Sequence, residues 1–573
     1  MNLLKSLLMK MHAQNKIRLE ELYLDKMSKI DNYKKLEYSY LNLKFSFEGL
    51  SFRTPERLII NIEIPKEFVF DNIDINNVLV IEHYLLKHFC NDVNKINDDY
   101  FNKNKSSREK PYIESQVTNE IIIKRNGINY DFEKGVFVYR LLFVMPLINN
   151  VFVNSKSGLK AIKDILGVIY KKIEVINKDD LFDNINCYLN QKCIRKYIEE
   201  NNYVAFIANG SILPRKENSN KPLDSCVKFM SPRSKEITIK LNDGSLIKGM
   251  GIKKGITVIT GGGYSGKSTL LEAIEMGVYN HELNDGREYC ITLDSGVKIC
   301  AEDGRYVANT NISSFFKNIP IGGGVNNFSC SDASGSVSQA VNILEAVNYK
   351  SKLLLIDEDR SANNFMIRDY NMHLVVRNDP IIPFTNRIKE LYEDYDVSTI
   401  LVIGGSSIYL NYASTVLLLD EYVLSDISSI VNELDLIKVK AENEKGKFIF
   451  KRKIVSSNKK EEFKYFNIVN NDKNKNIIID DYEADITYIS TLISEYQINY
   501  LAYIIQLILS RNEFFEGDII GNIFKEQENI YKDKINEIIS QYNIKCDIWF
   551  EDIRKEDIIC CINRLRGIKF DLI

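Results

Sequence analysis

The segment Gly261–Ser268, GGGYSGKS, constrains this chain more than any other. It fits the pattern G-x-x-x-x-G-K-[ST], follows the apolar run Gly255–Thr260 and precedes a helical stretch, Thr269–Gly277. The glycines let the backbone turn tightly, so several N–H groups point at one spot. The following helix adds the positive end of its dipole. A loop built this way holds phosphate. Gly261, Gly262, Gly263, Tyr264, Ser265, Gly266, Lys267, Ser268 and Thr269 form the expected cradle. Lys267 reaches the β- and γ-phosphates, and the Ser268 hydroxyl is placed to ligate Mg²⁺. ATP and Mg²⁺ are therefore the expected cofactors.

A second motif follows in the right order. KLLLIDED, Lys352 to Asp359, is an apolar strand ending in carboxylates. Asp357 is expected to hold the metal, and Glu358 to orient and deprotonate an attacking water. Between the two motifs lies SDASGSVSQA, Ser331 to Ala340. It resembles the ABC signature, with Ser334, Gly335 and Ser336 on its first three positions. One helix and one turn separate it from Asp357. Ser334 and the N–H groups of the helix that follows form a second anion site. The bland alternative is a Ser/Gly loop capping a helix, with Ser334 or Asp332 as N-cap.

Two ABC elements are missing. No histidine follows the apolar run Thr399–Ile403, where GGSS, Gly404–Ser407, stands instead. Ser406 or Ser407 is the expected γ-phosphate contact there. No glutamine occurs between Ser268 and Ser334. Glu302, in AEDGR (Ala301–Arg305), is the candidate metal or water contact, and a β-turn at Asp303–Gly304 is the alternative. Ser361–Ala362 resembles the start of a D-loop, with Asn364 at its usual Asp.

These runs join AFIANGSILPR (Ala205–Arg215), GMGIKKGITVITGGGYSGKSTLLEAIEMGVYNH (Gly249–His281), GREY (Gly286–Tyr289), NFMIRD and VSTILVIGG. Together they resemble the predicted ABC-class ATPases, a soluble family without membrane domains, over roughly residues 203–430. YKKLEYSY (Tyr33–Tyr40) and NRLR (Asn563–Arg566) resemble it more faintly. The resemblance implies an ABC-like core between family-specific terminal domains. It implies a head-to-tail homodimer with ATP at the interface, and RNA as a candidate partner. The family usually has His where Ser265 sits.

Composition bounds the rest. At ~100–200 residues each, 573 residues suggest about three domains. A hydrophobic share of 45% and a charged share of 27% are ordinary for a core-burying protein. A net charge of −3 excludes a globally basic nucleic-acid binder, so any such surface is local. The basic runs Asn102–Lys110 and Phe450–Lys460 are the candidates, beside Tyr100, Phe101 and Tyr112. Ten cysteines without a C-x-x-C pair give neither zinc spacing nor a disulfide framework, as in a cytoplasmic protein. The N-terminus lacks a signal-peptide h-region. The most apolar stretch, Val136–Val153, carries Arg140, Asn149 and Asn150, and is expected to be a buried helix and no membrane span.

The expected fold class is α/β, an ABC-type P-loop core flanked by an α+β N-terminal domain and a mainly helical C-terminal one. Residues 1–195 contain strands at Phe45–Phe52 and Arg57–Ile64 and a helix at Ser157–Val175. In 196–430, the short apolar runs Ile256–Thr260, Lys352–Ile356 and Thr399–Ile403 are those of buried parallel strands. In 431–573, Glu442–Lys464 is a solvated hairpin or loop. Ser490–Ser510, Asn522–Tyr542 and Lys555–Leu565 are expected helices. The functional expectation is Mg-dependent ATP hydrolysis coupled to dimer closure. A nucleotide-gated clamp with little turnover is the alternative. Phosphoryl transfer to a small molecule is disfavoured by the signature-like segment.

Overall fold

The computed structural model describes residues 1–12, 36–49, 57–101, 110–149, 151–217, 219–319, 324–368, 375–376, 378–434, 436, 445–455, 466–470, 475–509, 513–515 and 548–572. They fall into two compact units. One comprises residues 1–186 with 548–552. The other comprises the described residues from 187 to 515 with 553–572.

In the first unit, Glu37–Tyr40, Leu43–Gly49, Arg57–Pro65 and Val136–Val144 pair antiparallel in that order. Tyr112–Glu114 and Ile128–Asp131 both pair with Val136–Val144. The helix Ser155–Glu174 buries Ala161, Ile162, Ile165, Leu166, Ile169 and Ile173 along one stripe. Its N-cap, Asn154, accepts from Ser157 N–H at 3.2 Å. The expected strand Phe45–Phe52 lies over Leu43–Gly49, with its last residues outside the described ones. The expectation for Val136–Val153 is overturned. Val136–Val144 is a strand, followed by the two short strands Leu147–Ile148 and Phe152–Val153. Phe137, Tyr139, Leu141 and Phe143 are all buried, a period of two that competes with the helical one. Pro146 then breaks the run.

Glu82 lies within the helix Val78–Phe101, where its Oε1 accepts from Tyr130 N–H at 2.7 Å. Burial pushes its pKa up to about 7, against the opposing pull of that hydrogen bond and of Lys124 and Arg140. A raised carboxyl pKa stabilises the fold fully below the unfolded value, and the contribution is lost as pH rises through 7. The loss amounts to roughly 3 kcal/mol. Glu82→Gln should flatten the pH dependence of this unit's stability between about pH 5 and 8, leaving it more stable at the upper end. Urea melts at both pH values check this, and an unchanged slope would remove Glu82 as its source.

The second unit is built on a six-stranded sheet. Its strands are β1 (Ile256–Thr260), β2 (Gly296–Ile299), β3 (Leu353–Asp357), β4 (Ser398–Val402), β5 (Thr415–Asp420) and β6 (Val423–Asp426). The order is β2-β3-β4-β1-β5-β6, parallel except for β6. β3 and β4 are buried throughout, which is why they read as unbroken apolar runs. Leu353 and Leu355 pack on one face with Leu270 and Ile274 of helix α1 (Lys267–Met276). Leu354 and Ile356 pack on the other with Val341 and Leu344 of helix α2 (Gly335–Asn348). A four-stranded antiparallel sheet joins the α1 side. Its order is Glu236–Lys240, Leu246–Lys253, Tyr203–Ala208, Cys290–Thr292.

The expected helical domain over 431–573 is not a unit of its own. Among the described residues from 445 onward, strands at Arg452–Val455, Phe466–Asn470, Lys475–Ile479, Tyr482–Asp485, Glu513–Phe515 and Lys569–Leu572 outnumber the helices Glu495–Leu509 and α3 (Lys555–Arg564). Ile477, Ile479, Tyr482 and Ala484 alternate inward about a two-residue turn at Asp480–Asp481, a strand period hidden among charges. These elements belong to the second unit, while 548–552 belongs to the first. The expected helix Asn522–Tyr542 and most of Glu442–Lys464 lie outside the described residues. No described helix is long and apolar enough to cross a membrane.

Candidate functional site

Because β1, β3 and β4 run parallel, their C-terminal ends share one edge of the sheet. That edge is where open α/β sheets bind ligands. β4 lies between β1 and β3, so Gly404–Ser407 emerges between the glycine loop and the acidic strand end.

The glycine loop needs its glycines. A Cβ on Gly261 would stand 2.1 Å from the Leu419 carbonyl oxygen. Gly266, at φ +96°, caps α1 in the left-handed region. Tyr264 also takes a positive φ, +58°, with its side chain fully exposed. Such strain in a non-glycine residue accumulates at ligand-holding loops. Lys267 Nζ donates to the Gly261 and Gly262 carbonyls at 2.8 and 2.7 Å. Ser268 Oγ donates to Asp357 Oδ2 at 3.1 Å. A hydroxyl and a buried carboxylate side by side are hard oxygen donors suited to Mg²⁺, which takes few protein ligands in phosphate sites. Among the described residues, no three His, Cys, Asp or Glu side chains converge as a closed metal cage.

Glu358 is tied to the β4 loop. Its Oε2 accepts from Gly404 N–H at 2.6 Å and Gly405 N–H at 3.0 Å, and the Ser406 hydroxyl donates to Oε1. Burial opposes its charge, but these donors outweigh burial and hold its pKa below the ordinary carboxylate value. Ser406, expected at a phosphate, thus meets Glu358 here.

Ser334 is the N-cap residue of α2, exposed, and its hydroxyl makes no capping bond. Gly335 N–H donates instead to Asp303 Oδ1 at 2.7 Å. Ser336 is half-buried in the first turn of α2. Gln339, which sequence reasoning passed over, joins this helix to the segment after β3. Its Nε2 donates to Ser361 Oγ at 2.9 Å, and its Oε1 accepts from Ala362 N–H at 2.8 Å. A polar residue on the buried face of an apolar helix was the available signal.

Glu302 is not open to a metal. It is 4% exposed, and Arg564 donates Nη2 to its Oε1 at 2.5 Å and Nε to its Oε2 at 3.0 Å. Asn342 Nδ2 also donates to Oε1, at 2.8 Å. Burial raises its pKa, but the Arg564 charge outweighs this and holds it low. Asp303–Gly304 forms the turn, with Gly304 at φ +81°. Glu302 therefore leaves the metal set.

A cavity of about 490 Å³ adjoins the glycine loop at Ser265, Gly266 and Thr269. Leu213, Pro214, Val227, Phe229 and Tyr422 give it apolar walls. No sequence motif marks it, because its walls come from loops far apart in the chain.

Comparison with known proteins agrees with this geometry. A protein of Methanocaldococcus jannaschii described only as uncharacterized is 38% identical over 224 residues, covering 37% of this chain and 50% of its own length. The chain thus spans about half the length of that relative. The family described as ABC_ATPase, P-loop domain, matches residues 177–454. The sheet carrying Lys267, Asp357 and Glu358 lies inside that match, so over these residues the chain is similar to the ABC_ATPase P-loop domain.

Proposed function

We propose that the protein is a Mg-dependent ATPase that closes as a head-to-tail homodimer. The observation that carries this reading is the Ser268–Asp357 contact at 3.1 Å with Glu358 next in the chain. Phosphate, metal and water ligands thereby share one sheet edge. Lys267 exchanges the Gly261 and Gly262 carbonyls for phosphate oxygens. Ser268 and Asp357 would hold Mg²⁺, which supplies charge neutralisation at the phosphates. Glu358 accepts the proton of the attacking water after Gly404, Gly405 and Ser406 release it. Those freed donors can then face the γ-phosphate in place of the missing histidine. The apolar cavity beside Gly266 takes the base. Ser334, its hydroxyl uncommitted to the cap, and Gly335 complete the site of the second copy.

One observation favours the clamp reading instead. A carboxylate held by three donors with a lowered pKa is a weak base, which fits slow turnover. RNA as the clamped partner rests on the resemblance alone.

The test is the mass in solution with and without Mg-ATP, by light scattering. Wild type should pass from monomer to dimer. Lys267→Ala should stay monomeric and lose about 100-fold in ATP affinity, the scale of a lost charged hydrogen-bond set. A wild type that binds ATP yet remains a monomer would rule out the trans role of Ser334.

A further inference from the structure

The motif Asn563–Arg566, at the end of α3, has no role in the proposed chemistry, yet its arginines reach the signature segment. Arg566 Nη1 donates to the Ser331 carbonyl at 2.8 Å, and its Nη2 to the Gly304 carbonyl at 2.8 Å. Ser331 lies in the strand Phe328–Ala333, which runs directly into Ser334. Gly304 follows Asp303, whose carboxylate accepts from Gly335 N–H. One guanidinium thus joins the strand that leads into α2 to the turn at Asp303–Gly304, which holds the first N–H of α2. Its fork geometry suits two carbonyls at once. Arg566 also pairs with Asp332 at 3.4 Å.

Arg564 acts one layer deeper. It grips both Glu302 oxygens and donates to Asn342 Oδ1 at 3.0 Å. Glu302 N–H in turn donates to Ser338 Oγ at 2.8 Å, and Ser338 Oγ donates to the Gly335 carbonyl at 3.0 Å. A continuous polar path therefore runs from α3 to the first turn of α2. Asn563 extends it by accepting from the buried Arg452 at 2.8 Å.

We infer that Arg564 and Arg566 are positioning residues that set how Ser334 and Gly335 meet the nucleotide held by a second copy of the chain. This rests on the head-to-tail reading proposed above. A mere staple of the C-terminus would not need Arg566. Its side chain is 41% exposed, and its donors go to the carbonyls flanking the signature and not to a core partner.

The exposed site makes Arg566→Ala the variant of choice, since Arg564→Ala would strand the buried Glu302. ATP affinity of the monomer should match wild type, because the glycine loop is untouched. ATP-dependent dimerisation should need at least about 10-fold more protein, the scale expected when two charged hydrogen bonds that hold the signature segment in place are lost. Phosphate release should fall with it, and Arg566→Lys should restore part of both. Mixing then assigns the defect to one side of the interface. Arg566→Ala combined with Glu358→Gln places one intact site in each mixed dimer, so release should recover toward about one quarter of wild type. No recovery on mixing, or wild-type dimerisation by Arg566→Ala, overturns the inference while the parent reading stands. A wild type that neither dimerises nor releases phosphate overturns both.

Discussion

Glu358→Gln should lower phosphate release by about 100- to 1,000-fold while leaving ATP-driven dimerisation intact. The amide keeps the size of the side chain and still accepts from Gly404 and Gly405 N–H. It cannot take a proton. The variant should therefore collect as the ATP-bound dimer, visible by light scattering at protein concentrations where wild type cycles. A second readout follows from the Glu358 environment. Its pKa is held low by the Ser406 hydroxyl and two backbone N–H groups against burial. The resting contacts thus favour the charged carboxylate, and while they hold, any acid limb of wild-type release from this group should lie below the ordinary carboxylate range. Unchanged release by Glu358→Gln would leave the clamp reading as the account of this site.

How far the site was legible depends on which atoms carry the information. GGGYSGKS and LLIDED are local patterns whose flanking strands are buried on both faces, so backbone and chemistry speak together in one run of residues. The parallel strands Ile256–Thr260, Leu353–Asp357 and Ser398–Val402 followed for the same reason. Glu302 was misread because its partner, Arg564, lies 262 positions away, and nothing near Ala301–Arg305 announces it. That Ser406, a γ-phosphate candidate by its place after the strand, also meets Glu358 was not legible, because sequence order cannot show that β4 lies between β1 and β3. Val136–Val153 failed on periodicity. Leu141, Leu142 and Phe143 are buried in succession, which blurs the alternation that marks a strand. In the C-terminal region the expected helices Ser490–Ser510 and Lys555–Leu565 are present as Glu495–Leu509 and Lys555–Arg564, whereas the strands went unread, since they are short and interrupted by Lys, Asp and Asn.

The return of the chain to the first unit at residues 548–552 was equally invisible, and it supports the second large expectation. Arg125→Ala should destabilise that unit by about 3–5 kcal/mol, the cost of removing one partner from a buried ion pair. Arg125 Nε donates to Glu551 Oε1 at 2.6 Å, and the two side chains are 2% and 1% exposed. Arg125 Nη2 also donates to Asn119 Oδ1 at 2.6 Å. The backbone joins in: Asn126 N–H donates to the Phe550 carbonyl at 3.3 Å, and Asp552 N–H to the Lys124 carbonyl at 2.9 Å. The single tryptophan of the chain, Trp549, lies in this segment, buried, with Nε1 donating to Glu114 Oε1 at 2.7 Å. Its fluorescence during urea unfolding therefore reports on this attachment. Arg125→Ala should move the Trp549 transition to much lower urea. Arg125→Met with Glu551→Leu should lose far less, because an apolar pair leaves no buried charge behind. If Arg125→Ala shifts the transition by under about 1 kcal/mol, the backbone ladder and Trp549 hold the segment, and the ion pair only sets its register.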